Sequence, residues 1–349
     1  MKNFIRLAGA VLFAETVCGT CFSASLPHAT PGVAWETVKP EACGFDSEKL
    51  AKLGEFIRER KMNTIGLMVV VGGRQMYTYG DVSKVSYTAS CRKSFLSMLY
   101  GKYVRNGTIN LSETVGELGI DDVGGLLPSE KRVTVRDLIT ARSGCYHPAS
   151  NAGGRTDGLA RGKTEPGTKF VYNNWDFNVA GTVLEMKTGK SIYDVFDADL
   201  ARPLQLQDWD RARNKRTGNA SKSIHLAYYF HLSARDMARL GELMLRKGSW
   251  DGKQLIPADW VEESLRPVTT FKDGGGYGYM WWREVDPKFP AAYRGAFAAH
   301  GMYGQYVTVL PALDMVIAHK SDSDNKRGPK KGDYKELVRR IIAAQKENL

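Results

Sequence analysis

Apolar positions in this chain switch between helical and strand spacing in a fixed order. From Asp46 to Arg60 they fall at Leu50, Leu53, Phe56 and Ile57, the spacing of one helix face. Thr64 to Val71 is a short apolar run fit for a buried strand. Gly72-Gly73 predicts a hairpin turn, and Arg74 to Tyr79 the return strand. A long apolar helical stretch opens at Ser90. Thr134 can cap a helix holding Val135, Leu138 and Ile139, which stops at Gly144. Ser233 with Asp236 resembles a capping box ahead of Met237, Leu240, Leu243 and Met244, and Pro257 to Leu265 is a further short helix. Strand character returns at Tyr303–Leu310 and, after a turn at Pro311, at Asp314–His319. Asp333 begins a last helix with Leu337, Val338, Ile341 and Ile342 inward.

Strands therefore lie at both ends of the chain and helices fill its middle. The predicted fold is α/β (α+β): an antiparallel sheet flanked by N- and C-terminal helices, with an inserted, mostly helical region. The expected organisation is a discontinuous sheet domain, residues 25–85 and 266–349, and a helical region, residues 86–265. A cleft between two such parts is a natural ligand site. The Gly- and Pro-containing stretch from Pro148 to Thr168 is a long loop placed to rim it.

The N-terminus changes the expected setting. Met1-Lys2-Asn3-Phe4-Ile5-Arg6 is basic, Leu7 to Val17 is mostly apolar, and small residues follow at Ser23, Ala24 and Ser25. This is a secretory signal pattern over residues 1–24, and it predicts a periplasmic or secreted protein. No other run approaches a membrane span, so no stable membrane anchor is expected. Cys43, Cys91 and Cys145 would remain, an odd number that leaves at least one thiol unpaired; a Cys91–Cys145 disulfide is open at this level. There is no metal motif and no cofactor fingerprint, so neither is expected. The net charge of +11 is scattered, apart from Lys326 to Lys331, and no nucleic-acid module accompanies it.

The chemistry begins at Ser90. A serine hydroxyl is a weak nucleophile that needs a base within hydrogen-bond reach. Lys93, three residues on, shares its helix face, and a helix N-terminus favours a developing anion. About eighty residues later comes Tyr172-Asn173-Asn174. Each motif is weak alone: a second Ser-x-x-Lys, Ser323 to Lys326, sits in a polar loop. Together and in this order they are far more specific.

With these residues in hand, the chain resembles the serine β-lactamase/penicillin-recognising superfamily over nearly its whole length after the leader. It is most similar to the class C β-lactamase, D-Ala-D-Ala carboxypeptidase and esterase branch. Further agreement comes from Leu138–Gly144, Glu165–Thr168, Tyr277–Trp282 and Gly301–Tyr306, the last resembling the Gly-x-x-Gly-Gln form of the 6-aminohexanoate-oligomer hydrolases. Two apparent motifs are set aside. Lys187-Thr188-Gly189 ends a helix, with Gly189 as its C-cap, and Ser323-Asp324-Asn325 follows every other element.

The resemblance implies acyl transfer. Ser90 would attack an ester or amide carbonyl, with Lys93 and Tyr172 sharing the general-base work and Asn174 orienting Lys93 or the substrate. The Ser90 and Met302 amides would form the oxyanion hole, with Gly301 allowing close approach. His300, Trp175 and Trp282 are the expected substrate contacts. The family's third motif belongs at Ala299-His300-Gly301, where Ala299 replaces its usual lysine. That weighs against a carboxylate-bearing β-lactam or peptide, unless Arg294 or a protonated His300 supplies the charge. The expected function is a serine hydrolase acting on a small-molecule ester or amide. The alternatives are a β-lactamase or D-Ala-D-Ala carboxypeptidase-like activity, or a catalytically silent binding protein on the same fold.

Overall fold

A computed structural model describes residues 27–346. The predicted leader, with Cys18 and Cys21, lies outside the described residues. Eight strands form the main sheet: Thr64–Val71 (β1), Arg74–Gly80 (β2), Thr269–Thr270 (β3), Gly276–Tyr277 (β4), Trp282–Arg283 (β5), Phe297–Gly301 (β6), Gln305–Leu310 (β7) and Met315–Ser321 (β8). Their spatial order is β2-β1-β8-β7-β6-β5-β4-β3, with every pair antiparallel. The first hairpin and the last strand thus meet inside one sheet, next to its β2 edge, where Val69 pairs with Ile317.

The main helices are Leu53–Glu59 (α1), Cys91–Arg105 (α2), Val135–Ile139 (α3), Asn174–Thr188 (α4), Ala234–Leu245 (α5) and Lys331–Ala343 (α6). Thr134 closes a reciprocal capping box with Asp137 at α3. Gly189 ends α4 in the left-handed conformation, as a C-cap should.

The sheet is covered on both faces, which explains why β1 reads as an unbroken apolar run. Met68 and Val70 enter one core with Phe95, Leu99 and Leu240; Leu67 and Val69 enter another with Phe56, Leu337 and Ile341. Helix α5 lies so close to the sheet that a Cβ at Gly241 would come within 2.6 Å of Val316 and 2.7 Å of Val307. Two strand starts fall later than the pattern predicts. Tyr303 and Gly304 take positive φ and make the turn into β7, and Asp314 does the same before β8.

Candidate active site

Helix α2 presents Ser90 at its N-cap and buries nearly its whole first two turns. Ala89, just before, is held at φ 49°, an uncommon left-handed conformation that turns the chain sharply into the helix. Lys93 Nζ lies 2.8 Å from Ser90 Oγ and 2.7 Å from the Tyr172 hydroxyl. The Tyr172 and Phe177 rings also flank the amine, at 4.5 and 4.8 Å from their centroids. The three residues picked out by spacing therefore form one contiguous cluster.

Burial holds the Lys93 amine well below the ordinary lysine range, and the neighbouring Arg92 charge pushes the same way. Burial raises the Tyr172 phenol, although contact with Ser90 opposes this. The cluster thus favours a neutral amine beside a neutral phenol. Arg92 itself is buried, lies 4.2 Å from the Tyr228 ring centroid and donates to Asn178 at 3.2 Å. Among the described residues it has no ion-pair partner.

The oxyanion-hole candidates meet across a backbone contact. A Cβ on Gly301 would stand 2.6 Å from the Thr88 carbonyl oxygen and 3.1 Å from Ala89 Cβ, so only glycine lets β6 approach this segment. Ser90 and Met302 follow immediately on the two sides. Neither amide is a donor in the described turn and loop hydrogen bonds. Ser90, Gly301 and Met302 all line one cavity of about 600 Å³.

Trp282 and His300 line the same cavity, their rings stacked 5.4 Å apart, and Trp282 also stacks on Tyr172. His300 Nε2 lies 3.0 Å from a Glu284 carboxylate oxygen. Trp175 is a correction. It is fully buried, donates to Asp122 at 2.7 Å and does not line the cavity. On α4 it points into the core, on a different helix face from the end of the Tyr172 segment. Asn174 makes a different contact from the one expected with Lys93. Its Nδ2 donates to the Ala152 carbonyl at 2.7 Å, which ties the 148–168 loop to α4, and no Lys93 contact is formed. Its Oδ1 is buried without a partner.

Ala299 is buried in the core facing α2, and Arg294 does not line the cavity. Cys43, Cys91 and Cys145 are free thiols, which removes the open Cys91–Cys145 disulfide. Cys91 instead donates to the Gln305 carbonyl.

Sequence reasoning missed Lys320. It is fully buried on β8, donates to the Ser86 and Tyr87 carbonyls at 2.8 and 3.3 Å, and burial lowers its pKa to about 7. Ser323, set aside as part of a polar loop, donates to the same Tyr87 carbonyl at 2.9 Å. Both brace the segment leading into Ser90. The period of two through Val316, Ala318 and Lys320 was the available signal.

Comparison with known proteins agrees with the fold. A family model described as Beta-lactamase matches residues 49–339. The chain belongs to the Beta-lactamase family. A class C beta-lactamase superposes with a TM-score of 0.65 at 13% identity, covering 87% of this chain and 98% of its own. A candidate 6-aminohexanoate-dimer hydrolase from Bacillus anthracis gives 0.62 at 20% identity, covering 89% and 87%. An uncharacterised protein of Alkalihalophilus pseudofirmus is 20% identical over 265 residues, 68% of this chain and 73% of its own length. At these identities the solved structures show a shared fold. The family places the chain in the serine β-lactamase and penicillin-binding superfamily, whose members here include hydrolases.

Proposed function

We propose that this Beta-lactamase family member is a serine hydrolase that cleaves a small ester or amide through an acyl-enzyme on Ser90. The observation that carries this reading is Lys93 Nζ placed 2.8 Å from Ser90 Oγ and 2.7 Å from the Tyr172 hydroxyl. In this reading neutral Lys93 takes the Ser90 proton as Oγ attacks the carbonyl carbon. Tyr172 lies on the same amine and passes a proton to the departing alcohol or amine. The Ser90 and Met302 amides receive the carbonyl oxygen as it gains charge. Water then repeats the sequence in reverse and releases the acid and free Ser90. A silent binding protein would have no use for a desolvated lysine at bonding distance from a serine.

The direct test is peptide mapping after fluorophosphonate treatment, alongside turnover of p-nitrophenyl esters and nitrocefin. The adduct is expected on Ser90, and Ser90→Ala is expected to abolish both labelling and turnover. Short esters are expected to outrun nitrocefin, because Ala299 offers no cation at the third motif. A label on another serine of the folded protein overturns the assignment.

Burial first, and Arg92 second, set the working pH in this scheme. Arginine stays charged, so its proximity disfavours protonated Lys93. Activity should rise with pH as Lys93 loses its proton. Arg92→Gln removes a repelling charge, so Lys93 holds its proton to higher pH. The acid limb of the kcat/KM profile is expected to move to higher pH in Arg92→Gln and to stay lower in Arg92→Lys. Coincident limbs for wild type and Arg92→Gln would contradict this role.

A further inference from the structure

The cavity that opens at Ser90 does not end there. It continues past the Trp282 and His300 rings to the face of α6, where Lys331, Tyr334 and Lys335 line it. Thr308 marks this far end: its hydroxyl is 2.8 Å from that of Tyr334. Thr308 pairs with Ala298, three residues from Gly301 along β6. At about 3.4 Å per residue, the far end lies roughly 10 Å from the carbonyl position beside Gly301.

The charge inventory of the cavity is unequal. Four cationic side chains line it, Arg155, Arg283, Lys331 and Lys335, against the two carboxylates Asp273 and Glu284. The carboxylates are already engaged. Glu284 faces His300 at 3.0 Å, and Asp273 accepts from the Gly275 amide at 3.0 Å. Asp286, which does not line the cavity, is bonded twice by Arg339, at 2.8 and 3.1 Å, and reaches Lys335 only at 3.7 Å. Lys331 has no ionic partner among the described residues. Lys331 and Lys335 are one helical turn apart, so their amines reach the same stretch of the groove. Below them the Tyr306 and Tyr334 rings stack at 3.8 Å, a firm apolar floor for a chain.

We infer that the substrate carries an anionic group roughly 10 Å from its scissile carbonyl, held by Lys331 and Lys335 at the far end of this cavity. The inference rests on the serine-hydrolase reading and adds its substrate class: an elongated acyl ester or amide with a carboxylate-type terminus. The strand position occupied by Ala299 has no cation, and the charge is supplied instead from the C-terminal helix. The apolar span between, walled by Trp282 and Tyr306, suits an uncharged chain.

The experiment compares p-nitrophenyl hemiesters of succinate, adipate and sebacate with their methyl-capped counterparts, in full-length protein at low ionic strength. A second arm places the carboxylate on the leaving group, using butyrate esters of ω-hydroxy acids. The expected result is a kcat/KM ratio favouring the free carboxylate, growing with chain length in one arm. Partly exposed ion pairs contribute modestly, so Lys331→Ala/Lys335→Ala is expected to reduce that ratio by about tenfold, and Lys331→Glu/Lys335→Glu to invert it. Added salt should compress the ratio in wild type and leave it flat in the double alanine variant. Equal ratios in wild type and both variants overturn the inference. A protein that turns over the methyl-capped esters without any preference fails this inference alone. One that turns over neither and takes no label on Ser90 fails the underlying hydrolase reading.

Discussion

Lys93→Ala is expected to lower kcat/KM on a p-nitrophenyl ester by about a hundredfold or more, the scale of lost general-base catalysis. Tyr172→Phe should cost a comparable amount. The two losses should not multiply, because one amine contacts both oxygens at 2.8 and 2.7 Å. A double variant about as slow as either single one is the expected outcome. A double variant showing the product of the two losses would mean that the groups act separately. The proposed scheme also gives the partners separate duties. Burial depresses the lysine and raises the phenol, so the amine is the group free to accept a proton first.

The second large effect is expected from one added methyl group. In Gly301→Ala the new Cβ would meet the Thr88 carbonyl oxygen at 2.6 Å and the Gln305 Cβ at 2.9 Å. A backbone oxygen cannot swing aside as a side chain can. The end of β6 must retreat from the segment before Ser90, carrying the Met302 amide with it. Loss of one oxyanion donor costs about a hundred- to a thousandfold in kcat, so a decline on that scale is expected. Circular dichroism and thermal melting check that the fold survives. Near-normal turnover in a folded Gly301→Ala protein would remove Met302 from the oxyanion role.

Ser90, Lys93 and Tyr172 were legible because their spacing and order are set by helix geometry and chain topology. The fold class was legible for a related reason. Strand-like runs at both ends of the chain can bury their two faces only by meeting in one sheet, and β1 does pair with β8. What sequence alone misjudged were the faces. Trp175 follows the Tyr172 segment closely enough to suggest a cleft contact, but one step along a helix turns a side chain by about 100°, and it points at Asp122 instead. Asn174 has the right position yet spends its amide on Ala152, a partner in a long irregular loop that no periodicity describes. The bonds of Ser323 and Lys320 were hidden because their partners are backbone carbonyls of a distant segment, although the period of two already placed Lys320 on an inward face. The far arm of the cavity was equally invisible, since it joins residues of β6, β7 and α6 that share no motif.

The buried basic side chains around Ser90 have a consequence for which substitutions the protein would accept. Arg92 and Lys320 sit in the interior without a carboxylate partner among the described residues, and Lys93, next to Arg92 in the chain, is buried as well. Removing such groups from water opposes folding, whereas aliphatic replacements of similar size would not. The nucleophile's helix is therefore kept in place by its neighbours Phe95, Leu96 and Leu99, against the hydration its own charges would otherwise seek. Selection for heat tolerance alone would erode these basic side chains first. Their retention in a chain under such selection would be a record that turnover, rather than rigidity, was what the lineage was defending.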